Sequence, residues 1–219
     1  MGDADLVGAL LAEGEEKANV VGEDGHTALT KATKAHHTAV VRALLFDEAA
    51  GADCAIDATS GEGMSALMYA SSDEQKALVE EDVEILGLLL EKGADVNQVC
   101  GAAAGGQPGS LTGMTTMGIA VMCGCLAVTE ALLAHGQVDL HAIDYDGMTA
   151  MDHAQSRLVA AQQEGGGGDA DAQPIFEALT EAGAPSADQA VYAPVAGGGG
   201  GDDVFAPVAG GLGDGGGGV

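Results

Sequence analysis

Tryptophan is absent from this 219-residue chain, and aromatic residues make up only 3% of it. A core must therefore be built from Leu, Val, Ile, Met and Ala, which suits stacked helices better than a β-sandwich or a β-barrel. Basic residues are also scarce: 7 Lys and Arg stand against 34 Asp and Glu, for a formal net charge of −27. Because nucleic acids and anionic membrane surfaces are themselves negative, the charge argues against both as ligands.

Targeting and disulfide signals are missing as well. The first residues are acidic, so we expect no secretory signal, which would begin with a basic segment. The cysteines show no disulfide-framework spacing and fit a reducing compartment; they are Cys54, Cys100, Cys123 and Cys125. The uncharged stretch Val99–Thr129 is rich in Gly and Ala in its first half, so we expect no membrane span there. We expect an intracellular, cytoplasmic protein, with the nucleus as the alternative.

Motifs of catalysis and metal binding do not occur either. The chain has no G-x-S-x-G, H-E-x-x-H or P-loop sequence, and its glycine runs match looser glycine patterns by composition alone. Cys123-x-Cys125 with nearby His135 lacks a fourth ligand at zinc spacing, so a structural role is favoured for it. The sequence therefore predicts no catalytic, cofactor-binding or metal-binding residue. An enzyme without a recognisable motif is the alternative from another class.

One phrase, G-x-[T/S]-x-[L/M]-x-x-A, occurs four times. Its glycines are 38, 50 and 34 residues apart, and its copies are Gly25–Ala32, Gly63–Ala70, Gly113–Ala120 and Gly147–Ala154. A second apolar phrase follows each copy, with apolar residues spaced for one face of a helix. Neither helix can bury its apolar face alone, so the pattern predicts stacked helix pairs, a solenoid.

The phrase has a physical meaning at two of its positions. The glycine permits a tight turn with positive φ. The hydroxyl residue two positions later can accept a hydrogen bond from a free amide at a helix start; these residues are Thr27, Ser65, Thr115 and Thr149. Leu44, Leu89 and Leu132 occupy matching positions in the second phrase, so we expect them to be buried between neighbouring repeats.

These residues resemble the ankyrin repeat family. Glu91–Asn97, E-K-G-A-D-V-N after L-L-L, resembles the second half of an ankyrin repeat, and Asp144–Asp152 resembles the first half. The resemblance implies an all-α, ankyrin-type helix-pair solenoid with short β-hairpin tips, about five repeats in residues 1–184. The family's proline is missing, and its histidine is replaced by Thr30, Met68, Gly118 and Asp152, so we expect weaker hydrogen bonds between repeats.

The expected elements follow in order along the chain. A leading single helix is predicted first, then four helix pairs, with additions inside the later repeats. The expected ranges are Asp3–Glu13 for the leading helix, Thr27–Ala35 and His37–Glu48 for the next pair, Ser71–Asp82 and Cys100–Ser110 for two additions, and Pro174–Ala182 for the last helix after Gly165–Gly168. His36-His37 lies where the family has Gly-His, so it is assigned a structural role.

Residues 185–219 form a glycine-rich tail that we expect to be flexible. It repeats itself with a period of 13 residues, as Val191–Gly198 and Val204–Gly211. One interpretation is low-complexity drift. The other is a linear motif, aromatic-Ala-Pro-Val, present twice for a binding partner.

Ankyrin-like stacks bind proteins on a concave face formed by hairpin tips and first helices. The residues of this chain expected there are Glu23, Asp24, His26, Glu62, Met64, Leu111, Met114, Met122, Tyr145, Asp146 and Met148. The methionines would form an adaptable apolar strip bordered by carboxylates, Asp144 included. The alternative is that Met64, Met114 and Met148 fill gaps between repeats.

The resemblance therefore favours a protein-interaction module that acts as a monomer and needs no cofactor. Its expected partner is a protein with a basic and apolar segment. The alternative is a regulatory fragment of a larger ankyrin-containing enzyme or channel. Asn97 also looks like the hairpin asparagine that asparaginyl hydroxylases modify in some ankyrin repeats, a plain turn residue being the alternative.

Overall fold

The computed structural model describes residues 19–22, 25–46, 54–72, 79–101, 111–163 and 169–186. Within these ranges the chain forms helices and, apart from one isolated antiparallel bridge between Val99 and Thr115, no strand pairing. The helices are α1 (Ala28–Lys34), α2 (Thr38–Phe46), α3 (Ala66–Tyr69), α4 (Val79–Glu91), α5 (Thr116–Cys123), α6 (Leu126–His135), α7 (Ala150–Gln163) and α8 (Ala172–Glu181).

The helices alternate between two layers. The first helices of the repeats pack side by side, α1 on α3, α3 on α5 and α5 on α7. The second helices do the same, α2 on α4, α4 on α6 and α6 on α8. Each pair also packs internally, as α7 does on α8. The predicted all-α solenoid of helix pairs is confirmed.

Every first helix begins at the hydroxyl residue that the repeated phrase predicts. Thr27 Oγ1 accepts the N–H of Thr30 at 3.2 Å, and Thr30 Oγ1 accepts the N–H of Thr27 at 2.9 Å, which completes a capping box. The other caps accept at 3.4, 3.4 and 3.3 Å; they are Ser65 from Met68, Thr115 from Gly118, and Thr149 from Asp152. A cap of this kind is typically worth about 1 kcal/mol.

Successive hairpin tips touch through their backbones, which explains the glycine in the phrase. Gly25 and Gly63 have φ of 76° and 79°. Gly61 donates its N–H to the Gly25 carbonyl, and Gly101 donates to the Gly63 carbonyl, both at 2.9 Å. A Cβ on Gly63 would overlap the backbone of Gly101. A side chain at that position would therefore be strained by its φ and would push the tips apart.

His36 has a structural role, as expected. It is the single non-glycine residue with positive φ in the described part of the chain, at 55°. Its Nδ1 lies 2.8 Å from Oδ1 of Asp82, whose side chain is 3% exposed. The contact ties the turn between α1 and α2 to the start of α4, in the next repeat.

Aliphatic side chains between the two layers form the main core. Leu44, Leu89 and Leu132 are all 0% exposed, so the expected register of the second helices is confirmed. A smaller cluster lies nearer the tips; its buried members are Met64, Met68, Tyr69, Cys100, Met114 and Ile119. Small and medium side chains pack closely and fill the core without tryptophan.

Two boundaries differ from those expected. Helix α4 includes Val79–Asp82, the end of the segment expected as an addition, and the residues just before Val79 lie outside the described ranges. Helix α8 begins at Ala172, ahead of Pro174, since a proline is tolerated in the first turn. The other expected segments lie outside the described residues: Asp3–Glu13, most of Cys100–Ser110, Gly165–Gly168 and nearly all of residues 185–219.

A series of side-chain hydrogen bonds, called here the ladder, joins the loops that lead into successive tips. In each rung an Asn or Asp oxygen accepts a backbone N–H from the next repeat; the rungs are Asn19 to Ala55 at 2.8 Å, Asp57 to Asp95 at 2.8 Å and Asn97 to Asp139 at 2.7 Å. Asn97 also donates its amide to the Gln137 carbonyl at 2.8 Å. The ladder supplies hydrogen bonds between repeats that the missing family histidine does not.

Candidate interaction surface

All four hairpin tips are closed by the same backbone hydrogen bond. An N–H donates across the tip at 2.8 to 3.0 Å, from Gly22 to His26, Ser60 to Met64, Cys100 to Met114, and Asp144 to Met148. The side chains near these bonds therefore occupy equivalent places from repeat to repeat. Differences between the tips arise from the side chains and not from the backbone.

The methionines after the turn glycines do not form a continuous exposed strip. Met64 and Met114 are only 6% and 4% exposed and belong to the smaller core cluster. Half-buried Leu111 and Met122 pack against the same cluster. The expectation that Met64 and Met114 are accessible is corrected in favour of gap filling.

For Met114 the physical reason lies in Gly118, the residue that replaces the family's histidine in that repeat. A Cβ built on Gly118 would lie 3.5 Å from Cβ of Met114, so the methionine covers the position where a side chain is missing. Met148, at the last tip, is half-buried and lines open surface along α7. Of the three methionines that follow a turn glycine, Met148 retains partial access.

Glu62 is exposed but held by two neighbours. Nζ of Lys34 donates to both of its carboxylate oxygens at 3.1 Å, and the Tyr69 hydroxyl donates to Oε2 at 2.6 Å. The hydrogen bond from Tyr69, followed by that from Lys34, lowers the pKa of Glu62. Its charge is therefore partly matched within the stack.

Tyr69 is the buried centre of this tip. It is 6% exposed, and its hydroxyl oxygen lies 2.8 Å from Ser60 Oγ. Burial, and then the hydrogen bond to Glu62, raise the pKa of Tyr69. The half-buried ring of His26 lies against it, with 5.6 Å between ring centroids. His26 and Glu62 are brought together here, as part of one side-chain network.

The last tip is arranged differently because Asp144 lies inside it. Its side chain is 4% exposed, and Oδ2 lies 2.6 Å from Nε2 of His153. Oδ1 accepts the N–H groups of Asp146 and Met148, both at 2.9 Å. The interpretation of Asp144 as a partner-facing charge is therefore wrong: the carboxylate shapes the tip, which leaves Asp146 as the exposed carboxylate.

Apolar side chains are exposed at the neighbouring tips of repeats four and five. Tyr145 is 61% exposed, Val99 42% and Ile143 37%. The Tyr145 ring lies across the preceding tip, since a Cβ on Gly113 would be 3.0 Å from its ring carbons. We call Val99, Ile143, Tyr145 and Asp146 the tip patch. Of these four, the sequence analysis had named Tyr145 and Asp146.

The remaining expectations concern two acidic residues of the first tip, metal binding and membrane spans. Glu23 and Asp24 lie outside the described residues. Within the described ranges, no three His, Cys, Asp or Glu side chains converge as a metal site would require. None of the helices in those ranges has both the length and the apolar character of a membrane span.

Comparison with known proteins agrees with this architecture. Residues 1–100 match the family model for ankyrin repeats in three copies. Residues 1–100 contain ankyrin repeats. The stack of helix pairs is similar to the solved ankyrin repeat domain of Bcl-3, a member of the IkappaB protein family, with 26% identity and a TM-score of 0.64. The match covers 83% of this chain and 66% of the Bcl-3 chain. No curated protein sequence matches the chain.

The network around Tyr69 was not predicted from the sequence, although a signal for it was present. At the position of Tyr69 the other copies of the phrase carry Lys31, Ile119 and His153. Tyr69 is thus the one aromatic side chain at that position with a hydroxyl. A buried hydroxyl needs a partner, and Ser60 and Glu62 are within nine residues of it.

Proposed function

We propose that this chain is a protein-interaction module that binds a partner segment along the tips and first helices, the concave face of an ankyrin stack. Ankyrin repeats form a general protein–protein interaction fold. The observation that supports this face most directly is the tip patch, which has three exposed apolar side chains and the exposed carboxylate of Asp146 at neighbouring tips.

The tip patch has the chemistry of a small hot spot. A tyrosine ring supplies a large contact area with few rotatable bonds, and the neighbouring tip at Gly113 supports the ring of Tyr145. An aliphatic or aromatic anchor of the partner would pack against Val99, Ile143 and Tyr145. A Lys or Arg next to that anchor would meet Asp146.

Charge favours the same class of partner. A net charge of −27 repels acidic segments and attracts basic ones from a distance. The tip of repeat three contributes less to this attraction than Glu62 alone would suggest, because Lys34 is paired with that carboxylate. The binding energy of the partner should therefore be concentrated at repeats four and five.

Affinity capture from a native extract tests the proposal with matched variants of the full chain. Tyr145→Ala removes the main exposed ring, and Glu177→Ala changes an exposed residue on α8, in the layer of second helices, as the control. Proteins retained by the wild type and by Glu177→Ala but lost with Tyr145→Ala are the expected result. If Tyr145→Ala retains every protein that the wild type retains, this face is not the binding surface.

A further inference from the structure

Among the described residues, the outer side of α7 has no neighbouring helix, whereas every earlier first helix has one. Helix α1 is covered by α3, α3 by α5 and α5 by α7. In the described residues no further helix packs on the other side of α7. An open groove runs along that side, and its lining residues are Met148, Asp152, Gln155, Ser156 and Val159. Their spacing places them on one face of the helix.

This groove combines an apolar surface with exposure. Val159 is 44% exposed and Met148 is half-buried, one at each end of the set. Helix α7 has 14 residues, against 7 in α1 and 8 in α5, so the groove is longer than the corresponding face of those helices. From Met148 to Val159 it spans roughly 16 Å, at about 1.5 Å per residue.

The chain leaves the described fold at one end of this groove. The Thr149 hydroxyl donates to the carbonyl of Pro185 at 2.9 Å, which holds Pro185 next to the start of α7. Gly183-Ala184-Pro185 matches Gly93-Ala94-Asp95 of repeat three, after which the chain passes on to the next hairpin tip. The residues that follow Ser186 therefore start where a sixth repeat would cover α7.

The repeat register identifies which residues come next. Tyr145 is six positions after Asp139. Six positions after Pro185 is Val191, the first residue of Val191-Tyr192-Ala193-Pro194-Val195. No charged residue occurs between Gln189 and Gly201, so this segment would bring no second carboxylate to Asp152. Its proline has no N–H to desolvate on docking.

We propose that Val191–Val195 docks in the α7 groove of its own chain, with the Tyr192 ring against Met148 and the valines along the surface that leads to Val159. Tyr192 is six positions after Ser186, and an extended chain of that length can span about 20 Å, so the segment reaches the whole groove. Because the segment is tethered, its effective concentration is in the millimolar range, and modest contacts suffice. The docked segment would cover α7 as the next first helix covers each earlier one.

The second copy of the motif provides the matched control. Phe205 in Val204–Gly211 corresponds to Tyr192, but it lies 13 residues further from the groove. Methyl NMR spectra of the full chain, labelled at Met and Val methyl groups, report the groove through Met148 and Val159. The signals of buried Met64 and Met114 report whether each variant is folded.

We expect Tyr192→Ala to shift the methyl signals of Met148 and Val159, while Phe205→Ala leaves them in place. A nuclear Overhauser effect between the Tyr192 ring and the Met148 methyl group should be present in the wild type. The proposal is overturned if the methyl signals of Met148 and Val159 are unchanged in Tyr192→Ala. Signals that respond to Phe205→Ala overturn the assignment to the first copy. Signals that move on dilution of the wild type identify a second molecule as the occupant and overturn docking within one chain.

Discussion

Arg157 of α7 fills the space that the missing side chain of Gly124 leaves open at the end of α5. Its guanidinium donates to the carbonyl of Met122 and to the carboxylate of Asp169, which links α5, α7 and the segment before α8. Gly124 has φ of 76°, and a Cβ there would overlap Nη2 of Arg157. One glycine thus serves both the helix end and the packing of the next repeat.

Gly124→Ala should lower the free energy of unfolding by more than about 1 kcal/mol, since it adds strain at positive φ and displaces Arg157. Gly118→Ala and Gly87→Ala are the matched controls, because both glycines lie inside helices and a Cβ at either meets no contact closer than 3.5 Å. They should stabilise the fold by about 0.5–1 kcal/mol each. Urea denaturation measures all three. A stabilising Gly124→Ala would contradict the role assigned to Arg157.

Leu132→Ala should destabilise the stack by roughly 2–5 kcal/mol, because Leu132 is 0% exposed and packs in the main core. Glu130→Ala on the same helix is the control, since Glu130 is exposed and its loss should change stability by less than about 0.5 kcal/mol. Equal unfolding midpoints in urea for the two variants would show that the assigned register of α6 is wrong.

Asn97→Ala should destabilise the protein by about 1–2 kcal/mol, because it removes one bond to Asp139 and one to Gln137. Asn97→Asp keeps an acceptor for Asp139 but loses the donor to the Gln137 carbonyl, so its stability should fall between the wild type and Asn97→Ala. Thermal or urea unfolding gives the order. Hydroxylation of Asn97 stays a separate prediction, tested by peptide mass spectra of the native protein.

Tyr69→Phe should raise the pKa of Glu62, because the hydrogen bond from Tyr69 is the main cause of its lowering. Lys34→Met should also raise it, because Lys34 lowers the pKa both by its hydrogen bond and by its charge. In the wild type the lowered pKa stabilises the fold above the unfolded value, near 4.5, and that contribution is lost as pH falls through the folded pKa. A carboxyl NMR titration of Glu62 measures the shift, and an unchanged pKa in Tyr69→Phe would refute the network.

We expect the same tyrosine to contribute to the alkaline side of the stability curve. Its pKa is raised from an ordinary 10.0, so its contribution is fully present below pH 10 and declines as pH rises toward the folded pKa. Tyr69→Phe should therefore flatten the loss of stability above about pH 10. An alkaline limb that is the same in both proteins would show that Tyr69 does not determine it.

What could be foreseen from the sequence was local or repeated. The turn glycines, the Thr and Ser caps and the apolar faces of the second helices are each specified within one repeat, and the structure confirms them. The burial of Met114 could not be predicted, because it depends on the gap at Gly118. Likewise, the sequence did not show that Asp144 is buried, with its Oδ2 2.6 Å from Nε2 of His153. Both contacts depend on side chains at positions where the copies of the phrase differ, and the shared repeat pattern does not encode them.

Asp146→Asn should slow association with a partner captured through the tip patch, because it removes the exposed carboxylate beside Tyr145. Glu177→Gln removes the same charge from the exposed surface of α8, so it keeps the net charge of the two variants equal. If the attraction is local, Asp146→Asn has the larger effect, and the difference shrinks as added salt shortens the screening length below about 10 Å. Surface plasmon resonance over a range of salt concentrations separates association from dissociation. Equal association rates for the two variants would mean that the acidity of the chain serves solubility, and that Asp146 does not select the partner.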